Sequence, residues 1–231
     1  MAKLKELSVF FPAYNEEDNI AESVENALKI MPEFVDDLEV IVVNDGSSDR
    51  TKDIAEGLAA KYDNVSVVTH PENRGYGGAL KSGFAAARYD HVFFSDGDGQ
   101  FDLNEIERLM PLAPDCDIVA GFRIKRNDPI HRVINGKAYN ILVRILFGLK
   151  IRDIDCAFKI IKKDVINAVD LKSESQFLSA EFLIKAKKKG FTIGQVGVHH
   201  FPRAKGAQTG NNPLVVIKSF RELFKLWKEL R

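Results

Sequence analysis

Cysteine and long apolar runs are both scarce in this chain, and each shortage excludes a class of protein. Its 231 residues include only Cys116 and Cys156, which lack the close cysteine or histidine spacing of a zinc site or a disulfide framework. No run of about 18 apolar residues occurs, so no transmembrane helix is expected, and the apolar stretch near Met1 is too short for a signal peptide. We therefore expect a cytoplasmic protein that does not span a membrane by itself.

The charged residues are unevenly distributed along the chain. The composition, 45% hydrophobic and 29% charged, allows a sizeable core, and the formal net charge is zero. However, residues 1–120 carry 10 basic and 24 acidic side chains, whereas residues 121–231 carry 23 basic and 9 acidic ones. An acidic half suits a divalent metal, and a basic half suits phosphate or an anionic membrane surface. Solvated surface charge would give the same counts, so the asymmetry alone assigns no function.

Short apolar segments alternate with segments of helical spacing, which predicts an α/β fold. The predicted strands are rich in β-branched and aromatic residues: Leu7–Phe11, Leu38–Val43, Val65–Thr69, His91–Ser95 and Ile118–Phe122. Crossovers of this length indicate a mostly parallel central sheet with helices on both faces and ligands at the carboxyl ends of the strands. After Gly121 the alternation weakens, and we predict helices at Gly136–Leu146 and Ala180–Lys189 and a strand at Ile193–Val198.

Two carboxylates in Asp-x-Asp spacing follow the fourth predicted strand. Asp96 and Asp98 lie in a glycine-containing turn, and Gln100 adds an amide oxygen nearby. Hard oxygen ligands of this kind hold Mg²⁺ or Mn²⁺, which shares its remaining positions with water and substrate phosphates. Asp and Gly are also common turn formers. The position directly after an apolar strand favours a metal site over a simple turn.

A third carboxylate, Asp45, follows the second predicted strand. Such a carboxylate at a strand tip can accept hydrogen bonds from a base N–H or a ribose hydroxyl. The next residues form a helix entry, where Ser48 or Asp49 is expected to cap the helix. We therefore separate Asp45, as a candidate ligand-binding residue, from its two neighbours, whose predicted role is structural.

These segments resemble the family 2 glycosyltransferases of the GT-A fold. The residues that carry the resemblance are Pro12–Glu16, Val43–Asp49 and Asp96–Gln100. Within the family, the chain is most similar to the branch of polyprenyl-phosphate (dolichyl-phosphate) mannosyl- or glucosyltransferases. The similarity continues through Gly121–Arg123, Asp153–Lys159 and Phe201–Gly206 and so covers nearly the whole chain.

The resemblance implies a role for each matching residue. The nucleoside pocket would be lined by Pro12, Tyr14, Asn15, Glu16 and Asp45. Asp96 would lie over the ribose or the metal, and Asp98 and Gln100 would hold Mg²⁺ or Mn²⁺ on the donor pyrophosphate. Basic residues expected to face the diphosphate or the acceptor phosphate are Arg123, Arg132, Arg203 and Lys205.

The implied reaction is an inverting transfer of a hexose from a nucleotide-sugar, of the GDP-mannose or UDP-glucose type, to a polyprenyl phosphate. A phosphate acceptor is already ionised at neutral pH and needs no strong base. A soluble or cell-envelope hydroxyl acceptor would need one, and Asp155 and Glu181 are then the candidates. A nucleotide-sugar-binding protein without turnover is a further alternative.

One departure from the branch leaves the acceptor open, and three missing patterns argue against other classes of enzyme. Cys156-Ala157-Phe158 stands where the branch usually has Gly in the middle, which leaves the acceptor open. The Gln-x-x-Arg-Trp motif of processive synthases is absent. A nucleotidyltransferase would carry a Gly-rich basic loop after the first strand, where this chain has Pro12–Glu17. No Gly-x-Gly-x-x-Gly of a dehydrogenase follows an early strand, and Gly75–Gly78 is predicted to form a tight loop.

We predict a single glycosyltransferase domain over residues 1–231. Residues 1–120 would bind nucleotide and metal, residues 121–212 the acceptor, and residues 213–231 would form an amphipathic basic helix. Such a helix suits peripheral contact with the cytoplasmic face of a membrane, but packing on the domain or against a second subunit fits the same pattern. No nucleic-acid partner is expected.

Overall fold

The computed structural model describes residues 3–124, 130–203, 205 and 213–230, without the side chains of residues 130–135 and 213–218. Strands and helices alternate along it, with short 3₁₀ turns between some of them. The elements are β1 Leu4–Ala13, α1 Ile20–Ile30, β2 Val35–Asn44, α2 Thr51–Lys61, β3 Val65–Thr69, α3 Tyr76–Ala86, β4 His91–Ser95, α4 Ile106–Leu109, β5 Ile118–Arg123, α5 Ile130–Phe147, β6 Phe158–Lys162, α6 Lys163–Ala168, α7 Leu178–Lys188, β7 Ile193–Val198 and α8 Pro213–Glu229.

One sheet of seven strands includes strands from both halves of the chain, in the order β3-β2-β1-β4-β6-β5-β7. Strand β6 is antiparallel to β4 and β5, and the other pairings are parallel. Because successive side chains of a strand point to opposite faces, Phe10 and Phe94 pack under α3, α5, α7 and α8, while Phe11 and Phe93 pack under α1, α2 and α4. The predicted mostly parallel sheet with helices on both faces is confirmed.

The predicted strands are all present, and three of them have the predicted bounds. Strands β1 and β2 extend beyond the predicted segments at both ends, and β5 is one residue longer. The three predicted helices of the second half correspond to α5, α7 and α8. None of the helices in the described ranges combines the length and the apolar character needed to cross a membrane.

Strand β6 was not predicted, because its five residues Phe158–Lys162 include two lysines. One of them, Lys159, is buried at 2% exposure. Its ammonium donates to the carbonyl oxygen of Ile154 at 3.2 Å and to that of Cys156, and it lies 5.4 Å from the ring centre of Phe94. Burial lowers the pKa of Lys159. The buried ammonium thus ties the loop before β6 to the sheet.

The prediction of a tight loop at Gly75–Gly78 was wrong, because α3 begins at Tyr76. Gly75 caps the helix at φ 82°, a conformation that side chains other than glycine disfavour. A Cβ at Gly77 would stand 2.5 Å from the carbonyl oxygen of Ser175. The glycines therefore allow close packing of the helix start against the segment before α7.

Candidate active site

Polar segments gather at the carboxyl edge of the sheet. β1 and β2 are in register up to Ala13 and Asn44, and the amide of Asp45 donates to the carbonyl of Ala13 at 2.9 Å. The residues that follow β4 lie at the same edge because β4 is parallel to β1. Since β6 is antiparallel, the residues that precede it, Asp153–Ala157, also reach this edge.

Asn15 joins the loops that follow β1 and β2. Its backbone is in the left-handed region at φ 57°, its amide donates to Ser47 Oγ at 3.0 Å, and its Oδ1 accepts from the amide of Ser48 at 2.9 Å. In the same loops, the Asp49 carboxylate accepts from the amides of Glu17 and Thr51. Its role is structural, but the residue that caps α2 is Arg50, and neither Ser48 nor Asp49 is at the cap position. Pro12 is buried and Tyr14 half-buried beside these loops.

Asp45 is buried at the tip of β2 and already has two partners. Its Oδ1 lies 2.6 Å from Nδ1 of His70 and accepts from the amide of Arg74 at 2.9 Å. The other ring nitrogen of His70 lies 2.8 Å from Ser82 Oγ. His70 was not predicted as a site residue, although it directly follows β3 at the edge where Asp45 follows β2. The chain of three side chains fixes the orientation of the Asp45 carboxylate.

Asp96 and Asp98 form a pair of carboxylates that repel each other in the turn after β4. Burial and the neighbouring charge of Asp98 raise the pKa of Asp96 to about 7, although a hydrogen bond from Tyr76 opposes the shift. Burial also raises the pKa of Asp98, whose Oδ1 accepts from the amide of Gln100 at 3.1 Å. A bound divalent cation would remove this repulsion, so the two carboxylates fit such an ion.

The other side chain predicted as a metal ligand is tied to the segment after β7. Gln100 Nε2 donates to the carbonyl of Phe201 at 2.9 Å, and the Phe201 amide donates back to the carbonyl of Gln100 at 2.8 Å. Within the described ranges, no group of three or more His, Cys, Asp or Glu side chains is arranged to hold a metal ion. An ion at Asp98 would thus need oxygens from a substrate phosphate or water.

We call residues Asp96–Asp98 the metal turn, after their predicted ligand role. Arg203 connects this turn to the loop after β1. Its Nη2 donates to both carboxylate oxygens of Glu16, at 2.7 and 2.6 Å, and its Nη1 lies 3.7 Å from Asp98 Oδ2. Its Nε donates to the carbonyl of Lys205 at 2.8 Å. The structure thus brings together Glu16, Asp98 and Arg203 from three distant segments, and the exposed Lys205 lies beside them.

Arg123, at the end of β5, and Asp155, before β6, lie at the same edge of the sheet. Arg123 forms a two-point ion pair with Asp153, with Nε at 2.6 Å and Nη2 at 2.8 Å from the carboxylate oxygens. Asp155 is exposed. Because Ser95 pairs with Phe158, Asp155, three residues before Phe158, lies near the turn after β4. Burial and the charges of Asp96 and Asp155 raise the pKa of Tyr76. Arg132 lies outside the residues whose side chains are described.

Glu181, the other candidate base, is fully occupied by protein donors. It is buried on α7, where its carboxylate accepts from the amides of Lys172 and Ser173 and from Lys185 Nζ at 2.5 Å. These donors satisfy both oxygens and hold the segment before α7. These contacts support a structural role for Glu181, whereas Asp155 is the exposed one of the two candidate bases.

A cavity of about 340 Å³ opens beside the metal turn. Its lining includes Asp96, Asp98 and Lys205 together with one side of α1. Asp45, Tyr14 and Arg123 do not line it. The cavity therefore reaches Asp96 and Asp98 from the side of α1 and does not include the tip of β2.

The sheet order, the paired carboxylates and the acidic tip of β2 define a protein of the GT-A class of nucleotide-diphospho-sugar transferases. The family model "Glycosyl transferase family 2" matches residues 8–169, and the chain belongs to this family. Glycosyltransferase AglD of Haloferax volcanii is 32% identical over 208 residues, which are 86% of this chain and 33% of that protein. The dolichyl-phosphate beta-glucosyltransferase of Drosophila melanogaster is 32% identical over 84% of this chain and 66% of that protein. The chain thus spans one third to about two thirds of these relatives.

Solved structures confirm the GT-A fold. Glucosyl-3-phosphoglycerate synthase from Mycobacterium tuberculosis, in complex with Mn²⁺, uridine-diphosphate and phosphoglyceric acid, superposes with a TM-score of 0.74 at 20% identity. The match covers 96% of this chain and 78% of that chain. At this level of identity, the likeness establishes the fold and leaves the substrates open.

Proposed function

We propose that this chain transfers a hexose from a nucleotide-sugar to a polyprenyl phosphate with the aid of Mg²⁺ or Mn²⁺. The observation that carries the proposal is the repelling pair Asp96 and Asp98 at the same sheet edge as the oriented carboxylate of Asp45. The Mn²⁺ and uridine-diphosphate in the mycobacterial synthase support a metal and a nucleoside diphosphate in this fold. The dolichyl-phosphate glucosyltransferase among the relatives supports a lipid phosphate as acceptor.

The residues divide the work in the proposed reaction. Asp45 would bind the nucleoside, with the loops after β1 and β2 held in place by Asn15. A metal ion bound at Asp98 and Asp96 would neutralise charge on the departing diphosphate. Arg203 and Lys205 would add positive charge at the same place, and Arg123, fixed by Asp153, would face the acceptor side.

The proposed chemistry is a single displacement with inversion. An acceptor phosphate oxygen forms the new bond to the anomeric carbon as the bond from that carbon to the diphosphate oxygen breaks. Because the second pKa of a phosphate monoester is about 6, the attacking oxygen is ionised at neutral pH and needs no base. The structural role of Glu181 agrees with this mechanism.

Helices α5 and α8 suit peripheral contact with an anionic membrane. Both pack on the same side of the sheet, and the rings of Tyr139 and Phe220 join them at 5.6 Å. Their outer sides expose Ile141, Ile145 and Phe224 together with basic side chains: Lys137, Arg144, Arg221, Lys225 and Lys228. Apolar side chains among lysines and arginines are typical of helices that lie on anionic lipid. We call this the α5–α8 surface.

A hydroxyl acceptor remains the second candidate, because the exposed Asp155 lies near the metal turn. The two acceptors are separated by Asp155→Asn. Transfer to a phosphate should stay within a few-fold of the unchanged protein, whereas transfer to a hydroxyl should fall by about 100-fold or more.

The function is tested in two stages. Thermal shifts with UDP-glucose, UDP-N-acetylglucosamine and GDP-mannose, each with Mn²⁺, identify the donor, because ligand binding stabilises the folded state. The preferred donor is then supplied with polyprenyl phosphate in vesicles or with soluble sugar and protein acceptors. Transfer to soluble hydroxyls without transfer to the lipid would contradict the proposal, and donor binding without any turnover would favour a binding protein.

A further inference from the structure

The carboxylate of Glu16 is occupied by protein donors. The resemblance places Glu16 in the nucleoside pocket, yet one oxygen accepts from Arg203 and the other from both Arg203 and Asn19 Nδ2, the latter at 2.8 Å. Its side chain is buried, at 11% exposure, and that of Arg203 is equally enclosed at 10%. Nη2 of Arg203 bonds both oxygens of this buried carboxylate, and Nε donates to the carbonyl of Lys205 at 2.8 Å, so two nitrogens of the guanidinium are held in place. Glu16 therefore orients Arg203.

The fixed guanidinium faces the metal turn. Its second terminal nitrogen lies 3.7 Å from Asp98 Oδ2, which is too long for a hydrogen bond but close enough for charge compensation. Before a donor binds, Arg203 thus partly neutralises Asp98. A divalent cation at Asp98 would then stand close to a positive charge that Glu16 keeps from moving away.

We propose that Arg203, oriented by Glu16, makes the binding of the divalent metal depend on the nucleoside diphosphate. Without the diphosphate, the arginine weakens metal binding by repulsion between like charges. With the diphosphate, the same arginine faces a phosphate oxygen and strengthens the assembled complex. Glu16 is the positioning residue for this effect. The proposal rests on the proposed function, because it assumes a nucleoside diphosphate at this edge.

Two variants should shift metal binding in opposite directions. Arg203→Met removes the charge and keeps much of the side-chain length, so the affinity for Mn²⁺ alone should rise by about fivefold or more. Glu16→Gln removes a negative charge and leaves the arginine, so the affinity for Mn²⁺ alone should fall. A purely structural role for the pair would weaken Mn²⁺ binding in both variants.

The coupling is measured by titrating Mn²⁺ and following the free ion by electron paramagnetic resonance, without nucleotide and with saturating UDP or GDP. The unchanged protein should bind Mn²⁺ at least about tenfold more tightly with the nucleotide, and Arg203→Met should lose most of this gain. The control is Arg88→Met. Arg88 pairs with the buried Glu39 at 2.7 Å and lies at the opposite end of β4 from the metal turn. In this variant, the affinity for Mn²⁺ alone and the gain with nucleotide should both stay unchanged.

The outcomes distinguish failure of the proposed function from failure of the coupling role. Mn²⁺ binding to the unchanged protein that ignores both nucleotides would contradict the proposed function and, with it, the coupling. A strong nucleotide effect that persists in Arg203→Met would overturn the coupling role alone. Unchanged or weaker binding of Mn²⁺ alone to Arg203→Met would also overturn it. If this variant melts before the titration, Arg203→Gln replaces it, since it also removes the charge, and unchanged or weaker binding of Mn²⁺ alone to Arg203→Gln would overturn the coupling role.

Discussion

Nδ1 of His70 lies 2.6 Å from Oδ1 of Asp45, and both side chains are buried at the ends of adjacent strands. Because the amide of Arg74 binds the same oxygen, the carboxylate has one orientation in the protein. A carboxylate fixed in advance loses little freedom when a nucleoside binds. Asp45 was predicted from its sequence motif, whereas its partner His70 is recognised only from the structure.

Asp45→Ala should weaken the binding of a nucleoside diphosphate even without a sugar. Loss of hydrogen bonds to a charged group costs roughly 1.5–3 kcal/mol, which is about tenfold to a hundredfold in affinity. Calorimetry with UDP and GDP measures the change. Asp117→Ala is the control, since Asp117 binds Thr192 near the opposite ends of the strands. Unchanged affinity in Asp45→Ala would remove Asp45 from the site.

Asp98→Asn should lower transfer by about 100-fold or more and leave the fold intact, because a neutral amide is a poor ligand for a divalent cation. EDTA should abolish the activity of the unchanged protein, and Mn²⁺ or Mg²⁺ should restore it. Asp102→Asn lies in the same segment and keeps the oxygen that accepts from the Asn104 amide, so its activity should be nearly normal. Full activity in EDTA would disprove the metal site.

Asp96→Asn should stabilise the metal-free protein at high pH. Since the pKa of Asp96 is raised to about 7, the folded protein holds this proton more tightly than the unfolded chain does. Its contribution to the free energy of unfolding is therefore full below the ordinary value of 3.8 and is lost as the pH rises through 7. In EDTA we expect Asp96→Asn to raise the free energy of unfolding by at least about 1 kcal/mol at pH 8 and by almost nothing at pH 4, because one pKa unit is worth about 1.4 kcal/mol. Calorimetric melts at both pH values measure the gain, and an equal gain at both would contradict the assignment.

Charge reversal on the α5–α8 surface should release the protein from anionic vesicles. Lys225→Glu with Lys228→Glu should reduce binding by about tenfold or more, because each basic residue near such a surface contributes about 1 kcal/mol. Vesicle sedimentation at low and raised salt measures the binding. Lys52→Glu with Lys61→Glu, on the other side of the sheet, is the control. Removal of α8 would be a poor test, since Leu223 and Leu226 belong to the core. Failure of the unchanged protein to bind anionic vesicles would contradict membrane contact, and binding that is independent of charge and salt would contradict the role of the basic side chains.

The sequence predicted most of the fold because its strands are short apolar runs separated by clear helical spacing. The positions of Asp45 and Asp96 at the carboxyl edge of the sheet were predicted for the same reason, because both residues directly follow apolar strands. Strand β6 was not predicted, because a buried lysine interrupts its apolar pattern. The partners of Glu16 and Glu181 could not be predicted, since both depend on which distant donors the folded chain brings within hydrogen-bond distance.

Strand β6 has a consequence for how the protein folds. It alone joins β4 to β5 in the sheet, yet residues 96–157 separate it from β4 along the chain. During synthesis, the edge of β4 therefore stays without a strand partner until residue 162 has left the ribosome. An open apolar strand edge is prone to aggregation. We expect truncation anywhere between β4 and the end of β6 to give insoluble protein, even though the strands that carry Asp45 and Asp96 are complete.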